Sequence, residues 1–242
     1  MTPDAAATAV APAISNFGTR FMMDPAFYVG PAAAGFEGID FYGVGRGGVL
    51  GNVDADVIAA AFGFFAPPAV RTMWERGTQV MSPADASALF AQGCAEWSRS
   101  RFTADVDYAA VATLGARIID AAPIAGLPLF AGWKCVERPS DPIGAAAVTL
   151  HVLRELRGGA HLIGETAAGL SPLETVLVKG GKGIASLFGW EPPFPDVSSC
   201  TEAWEIGERT TNRITAAAYA ALDDDELTRF VDLVTTLHAG IT

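Results

Sequence analysis

Three arginines and one histidine are the side chains in this sequence best suited to binding a charged ligand. Arg46 stands among glycines between two apolar segments. There its planar guanidinium can hold a ligand carboxylate, cap a helix end or pair with an internal acid, and the internal ion pair is the favoured alternative. Arg154, Arg157 and His161 lie together further along the chain. His161 can serve as a general acid or base near neutral pH, or ligate a metal or haem iron.

Metal binding and nucleophilic catalysis find little support in the spacing of the residues. Glu165 lies one helical turn after His161, on the same face of a helix. His151 and His238 have no such relation to His161, and a metal site needs several ligands at matched spacing. The sequence therefore predicts no metal site, and a hydrogen-bonded structural role for His161 stays open. Three cysteines with no close pair are predicted to be small core residues: Cys94, Cys135 and Cys200.

Two glycine-rich segments and one aromatic loop have both a functional and a structural interpretation. Residues 43–48 match the G-x-G-x-x-G spacing of dinucleotide-binding loops, but Gly51 and Asn52 follow where a helix should begin, so close helix packing is favoured. Residues 179–183 lack the full phosphate-binding motif, which favours a solvated helix end. The Pro-rich aromatic loop 188–197 can roof an apolar pocket, mediate dimerisation or pack on its own core.

Helix signals recur along the whole chain. Ser82-Pro83 and Ser171-Pro172-Leu173-Glu174 are typical helix starts, the second with a capping box. Gly158 and Gly159 are predicted to end one helix, with another beginning near His161. Alternation of apolar and polar residues, the pattern of a β-strand, is seen only at residues 38–42. The sequence therefore does not predict a large sheet. Further helices are predicted at about 54–65, 67–75, 105–122, 141–156, 160–168, 202–222 and 224–238.

These elements predict a mostly α protein, a multi-helix array of two closely packed halves. The stretch from residue 121 to 141 is rich in proline and is the predicted boundary, with an N-terminal half over residues 1–125 and a C-terminal half over 126–242.

Composition limits the partners and the location. The chain has 242 residues, 16 basic against 27 acidic, and a net charge of -11. Because duplex binding needs Lys and Arg to meet phosphates, nucleic acid is predicted to be a disfavoured partner. No apolar run reaches the roughly 18 residues of a membrane span, and the first twenty residues do not resemble a secretory signal. The sequence therefore predicts a cytoplasmic protein with no membrane partner.

The order of several motifs resembles a helix-turn-helix family of actinobacterial proteins, over nearly the whole chain. The resemblance implies a mostly helical, winged-helix-related fold, with two winged-helix-like halves packed together, and implies little about activity. The family pattern reads Arg-Gly-Asp-Gly-His where Arg157 to His161 stand, so the arginine and histidine match while Gly159 replaces the Asp. The segments that carry the resemblance are Phe21–Ala26, Tyr42–Gly51, Phe64–Pro67, Leu129–Ala131, Leu153–His161 and Glu208–Arg213.

The leading hypothesis is a small-molecule-binding protein with an apolar pocket between helices. Its polar contacts are predicted to be Arg46, Arg154, Arg157 and His161, with haem as one ligand alternative. An enzyme is the second alternative, with His161 as the general acid or base and Arg46 or Arg157 stabilising negative charge. A ligand-responsive transcription regulator is the third. The sequence leaves open whether the protein is catalytic, and allows a homodimer.

Overall fold

The computed structural model describes all of residues 1–242 and consists of helices and loops. Short 3-10 turns at Pro25–Tyr28 and Gly48–Leu50 join some of the helices. No strand is formed, and Phe102 and Ile241 make one isolated bridge. The predicted mostly α, multi-helix fold is confirmed. The helices are α1 Pro3–Met23, α2 Val29–Ala33, α3 Asp40–Gly47, α4 Ala55–Phe62, α5 Pro67–Val80, α6 Pro83–Arg101, α7 Tyr108–Ala121, α8 Pro128–Lys134, α9 Pro142–Ala167, α10 Pro172–Leu187, α11 Thr201–Tyr219 and α12 Asp224–Ala239.

Both helix starts predicted from capping residues are present. The Ser82 hydroxyl accepts a hydrogen bond from the backbone N–H of Asp85 at the start of α6. Ser171 and Glu174 form the reciprocal capping box at the start of α10. Each such cap satisfies backbone N–H groups that a helix end leaves without an internal partner.

Helix α9 differs from the prediction of two helices separated by glycines. It is one helix of 26 residues that runs through Gly158 and Gly159. A Cβ on Gly159 would lie 2.6 Å from Cδ2 of Leu127, so this glycine lets a buried leucine pack against the helix backbone. The helix therefore continues because tertiary packing offsets the roughly 1 kcal/mol that a glycine costs inside a helix.

Several segments are helical where local patterns predict another structure or none, and α1 and α3 are the longest of them. Helix α1 has Pro12 in its interior and was not predicted. Residues 38–42 alternate like a short strand, but α3 begins at Asp40. The glycines of α3 allow close packing: a Cβ on Gly43 would lie 2.7 Å from Met73 Cβ, and one on Gly45 would lie 2.8 Å from Phe90 Cδ2.

Helix α9 is at the centre of the fold, packed against α1, α6, α7, α8 and α11. The main apolar cluster has 50 buried residues and includes Ala6 near one end of the chain and Ile241 near the other. Trp133 and Phe90 are among its largest fully buried members. The division into residues 1–125 and 126–242, each winged-helix-like, stays a prediction, and no strand supplies a wing.

The cysteine prediction holds for one residue of three. Cys94 is buried, whereas Cys135 is exposed and Cys200 is only partly covered. The prediction fails at the last two because they lie at helix ends, outside the apolar cluster. None of the helices is both long enough and apolar enough to cross a membrane.

Candidate functional site

A cavity of about 690 Å³ is lined mainly by residues of α3, α4, α9 and α10, with further residues from α1 and α8 and Glu208 from α11. Its lining is mostly hydrophobic. The four side chains predicted to contact a ligand all contribute to its wall: Arg46, Arg154, Arg157 and His161. The structure therefore brings these residues to one hollow, although α3 and α9 are far apart in the sequence.

Arg46 forms a buried ion pair with Glu155 across this wall. Its Nε and Nη2 each lie 2.9 Å from a carboxylate oxygen of Glu155, in the two-pronged geometry that suits a guanidinium. Nη1 donates to the Tyr42 hydroxyl at 3.1 Å. The guanidinium carbon lies 4.5 Å from the centre of the Phe62 ring. Of the three roles considered for Arg46, the internal ion pair is therefore the one that the structure contains.

The Arg46–Glu155 pair stays charged despite its burial. Burial alone would raise the pKa of Glu155, but the charges of Arg46 and Arg154 outweigh it and hold that pKa well below its usual range. Burial acts in the opposite sense on Arg46, and the neighbouring carboxylate keeps its pKa above the ordinary value. Arg154 contributes through Nη1, which lies 2.6 Å from Oε1 of Glu155.

His151 lies beside this pair, one turn before Glu155 on α9. Its ring is fully buried, 4.3 Å from the Trp133 ring between centroids, and neither ring nitrogen makes a hydrogen bond. Burial lowers the pKa of His151 to about 3, so the imidazole is neutral. Sequence reasoning missed Glu155 and gave His151 no role; their spacing of four residues on one helix was the available signal.

A second polar cluster lies where α9 crosses α11. Arg157 donates to Asn212 at 2.8 Å and to Oε2 of Glu208 at 2.9 Å. Nδ1 of His161 lies 2.9 Å from Oε1 of Glu208 and 3.4 Å from Oε1 of Glu165. His161 and Glu208 line the cavity, and Glu165 lies behind them.

The pKa values of the two carboxyl groups in this cluster differ widely. Burial raises the pKa of Glu165 to about 7, and the charge of Glu208 adds to that rise. Burial also acts to raise the pKa of Glu208, but His161 and Arg157 outweigh it and lower that pKa to about 2. Together with the imidazole, these groups can exchange a proton or hold a divalent cation. Sequence reasoning missed Glu208 because it lies on another helix.

Two glycines explain how α9 and α11 approach so closely. A Cβ on Gly164 would lie 2.5 Å from the carbonyl oxygen of Gly207. A Cβ on Gly207 would collide with the carboxylate of Glu165. The backbone of α11 therefore covers Glu165 directly, which leaves that side chain 1% exposed.

The aromatic loop 188–197 and the glycine-rich segment 179–183 also contribute residues to the cavity lining. The Phe188 ring stacks on Phe65 at 4.1 Å, and the Trp190 indole donates to the carbonyl of Phe64 at 2.9 Å. The loop thus packs on its own core, and Phe188 closes part of the cavity wall. Lys179 is exposed at the rim.

The chain matches a protein-family model over most of its length. The model of the helix-turn-helix family matches residues 7–204, which is most of the sequence. The chain belongs to the helix-turn-helix family. No curated protein and no solved structure is significantly similar to this family member. The actinobacterial origin stays a prediction.

Family membership corrects the prediction that nucleic acid is a disfavoured partner. A helix-turn-helix is a unit by which proteins place a helix in the major groove of DNA, so the family contradicts that prediction. The prediction failed because it rested on the net charge of -11. Net charge averages over the whole surface of the helix-turn-helix protein and does not give the sign of one face.

Proposed function

We propose that this helix-turn-helix family protein binds a small molecule in the cavity between α3, α4, α9 and α10. The observation that carries the proposal is a hollow of about 690 Å³, mostly hydrophobic in its lining, with several polar side chains in its wall. Ligand pockets typically enclose about 300–1,000 Å³ and combine an apolar lining with a few polar groups that orient the ligand.

The polar groups favour a ligand that is apolar with one acidic group. Arg46 and Arg157 are already paired with carboxylates, so they supply mainly positive charge and rigidity. Arg154 bonds Glu155 through Nη1 and makes no other hydrogen bond within the protein, which leaves donors for a ligand carboxylate. Thr175 adds a buried hydroxyl in the wall that lacks a hydrogen-bond partner.

A cavity-filling substitution tests this proposal. Gly158 lines the cavity within α9, and a Cβ there would contact nothing within 4 Å. Gly158→Leu should therefore fill part of the hollow without disturbing the helix. Gly183→Leu is the matched control, because Gly183 lies in α10 with equal space around its Cα but outside the cavity lining. The probe is 1-anilinonaphthalene-8-sulfonate, an apolar anion, followed by fluorescence titration.

The expected result is saturable probe binding by the unchanged protein and the Gly183→Leu control. Gly158→Leu should weaken that binding at least about tenfold, and Arg154→Gln should weaken it by a similar factor, about 1.4 kcal/mol in either case. Native mass spectrometry of freshly purified protein would identify any ligand that copurifies. Equal probe binding by both leucine variants would exclude the cavity as the binding site.

Membership of the helix-turn-helix family favours a second function, a transcription regulator that responds to this ligand. The test is fluorescence anisotropy with a pool of labelled genomic duplexes at low salt. Binding should weaken steeply as salt rises, since neutralised phosphates release counterions, and should change when the cavity is filled in Gly158→Leu. Absence of duplex binding at low salt would rule out this function and leave the ligand proposal intact.

A further inference from the structure

The side chains of His161, Glu165 and Glu208 direct their potential metal-ligating atoms at one point. One nitrogen and two carboxylate oxygens, one atom from each residue, all lie within 4.8 Å of one another. Nδ1 of His161 is 3.4 Å from Oε1 of Glu165. Two ligand bonds of about 2.1 Å at a tetrahedral angle would put their donor atoms about 3.4 Å apart.

The buried carboxylate of Glu165 has no hydrogen-bond partner in this cluster. Both carboxylate oxygens of Glu165 are inaccessible to solvent and have no hydrogen-bond partner. Nδ1 of His161 and Oε1 of Glu208 are equally buried and lie 2.9 Å from each other. Glu165 is only 1% exposed, and His161 is the only basic group within 4 Å of its carboxylate. A buried carboxylate without a partner is costly, and a cation held by all three side chains would supply that partner.

The surroundings hold these side chains in place. Arg157 bonds Oε2 of Glu208 at 2.9 Å, which leaves Oε1 directed at the cluster. Gly207 lets the backbone of α11 press on the Glu165 carboxylate, where any larger side chain would collide. His161 and Glu165 are one turn apart on the same rigid helix. Outer contacts that orient the ligands in this way are usual at protein metal sites.

From this geometry we infer that His161, Glu165 and Glu208 bind a divalent transition-metal cation. One imidazole nitrogen and two carboxylate oxygens suit Zn²⁺, Mn²⁺, Fe²⁺ or Co²⁺. Three protein ligands leave at least one coordination position open. His161 and Glu208 also line the cavity, so the metal site lies beside the hollow. The sequence predicts no metal site here because it does not show that α11 brings Glu208 to His161.

The test is a titration of protein, stripped of metal with a chelator, with Co²⁺ followed by visible absorbance. One equivalent of Co²⁺ per chain should bind and give a ligand-field band. Glu165→Gln keeps the size of the side chain and removes its charge, and should weaken binding at least about tenfold. Glu205→Gln is the control, since Glu205 is an exposed glutamate on the same helix as Glu208, and should bind as the unchanged protein does.

Three outcomes would overturn the metal site: no ligand-field band, binding without saturation near one equivalent, or unchanged binding by Glu165→Gln. Circular dichroism checks that this variant is folded, and His161→Gln decides the question if it is not. The metal site stands independently of ligand binding in the cavity. Gly158→Leu should keep Co²⁺ while losing the fluorescent probe, so failure of one proposal is distinguishable from failure of the other.

Discussion

Arg46 and Glu155 show what a buried ion pair requires at the scale of single residues. The two side chains are 7% and 1% exposed, so both charges have left water at a large desolvation cost. Bidentate geometry, the Tyr42 hydroxyl and the neighbouring Arg154 offset that cost. Removing one partner leaves the other charged and buried, which is far more destabilising than losing a surface pair.

Arg46→Met is therefore expected to lower the free energy of unfolding by about 3–5 kcal/mol. Arg71→Met is the control because Arg71 pairs with Asp56 at an exposed position, and it should cost less than about 1 kcal/mol. Urea denaturation followed by circular dichroism measures both values. Equal losses of unfolding free energy in the two variants would contradict this prediction. They would show that other groups stabilise the buried charge of Glu155 when Arg46 is absent.

His151 predicts a pH dependence of stability. Its pKa is about 3 in the folded protein and about 6.5 in the unfolded chain. Between these values the unfolded chain takes up a proton that the folded protein does not. Stability contributed by His151 is therefore complete above about pH 6.5 and declines as pH falls, by up to about 1.4 kcal/mol per unit.

The comparison of His151→Leu with the unchanged protein isolates this effect. Glu165 acts with the opposite sign in the same range, because its raised pKa of about 7 makes stability fall as pH rises above its unfolded value, about 4.3. Urea denaturation measures the free energy of unfolding at about pH 7 and about pH 5. Between these pH values it should fall less in His151→Leu than in the unchanged protein. The comparison variant is His238→Leu: burial also lowers the pKa of His238, but this ring is only partly buried, so its removal should change the acid dependence less than His151→Leu does. Equal acid losses in all three proteins would contradict the prediction.

Helix α9 organises both polar clusters at the scale of elements. Its 26 residues span about 39 Å and carry His151, Glu155, His161 and Glu165. A break at the predicted glycine junction would have separated the two clusters. The continuous helix instead fixes the distance and rotation between them, so the ion pair and the second cluster border one cavity.

Two glycines of α9 should respond oppositely to alanine. Gly158 has open space where a Cβ would lie, whereas a Cβ on Gly164 would meet the backbone of α11 at 2.5 Å. Gly158→Ala should raise the free energy of unfolding by up to about 1 kcal/mol, since alanine favours the helix. Gly164→Ala should lower it by about 1–3 kcal/mol through overpacking. Thermal and urea denaturation measure both, and a stabilised Gly164→Ala would mean that α11 can move away.

The apolar core belongs to the molecule as a whole. Helix α1 packs against α11 and α12 as well as α9, so the first and last helices of the chain share one cluster. Residues on both sides of the boundary predicted near residue 125 are members of it. We therefore expect neither half to bury its apolar surface without the other.

Unfolding is accordingly expected to be one cooperative transition. Tryptophan fluorescence and far-ultraviolet circular dichroism should give the same urea midpoint and the same dependence on denaturant. The separate pieces 1–125 and 126–242 should each lack cooperative unfolding. Two resolved transitions, or a piece that folds alone, would show that the halves are independent domains.

Local chemistry in the sequence determined the helical class and the capped starts of α6 and α10. These features depend on neighbours within one or two helical turns, so the sequence is enough to predict them. The continuity of α9, the Arg46–Glu155 pair and the meeting of His161 with Glu208 were decided by tertiary structure. Each depends on contacts between helices that are far apart in the sequence. The spacing of residues along the chain does not show which helices come into contact.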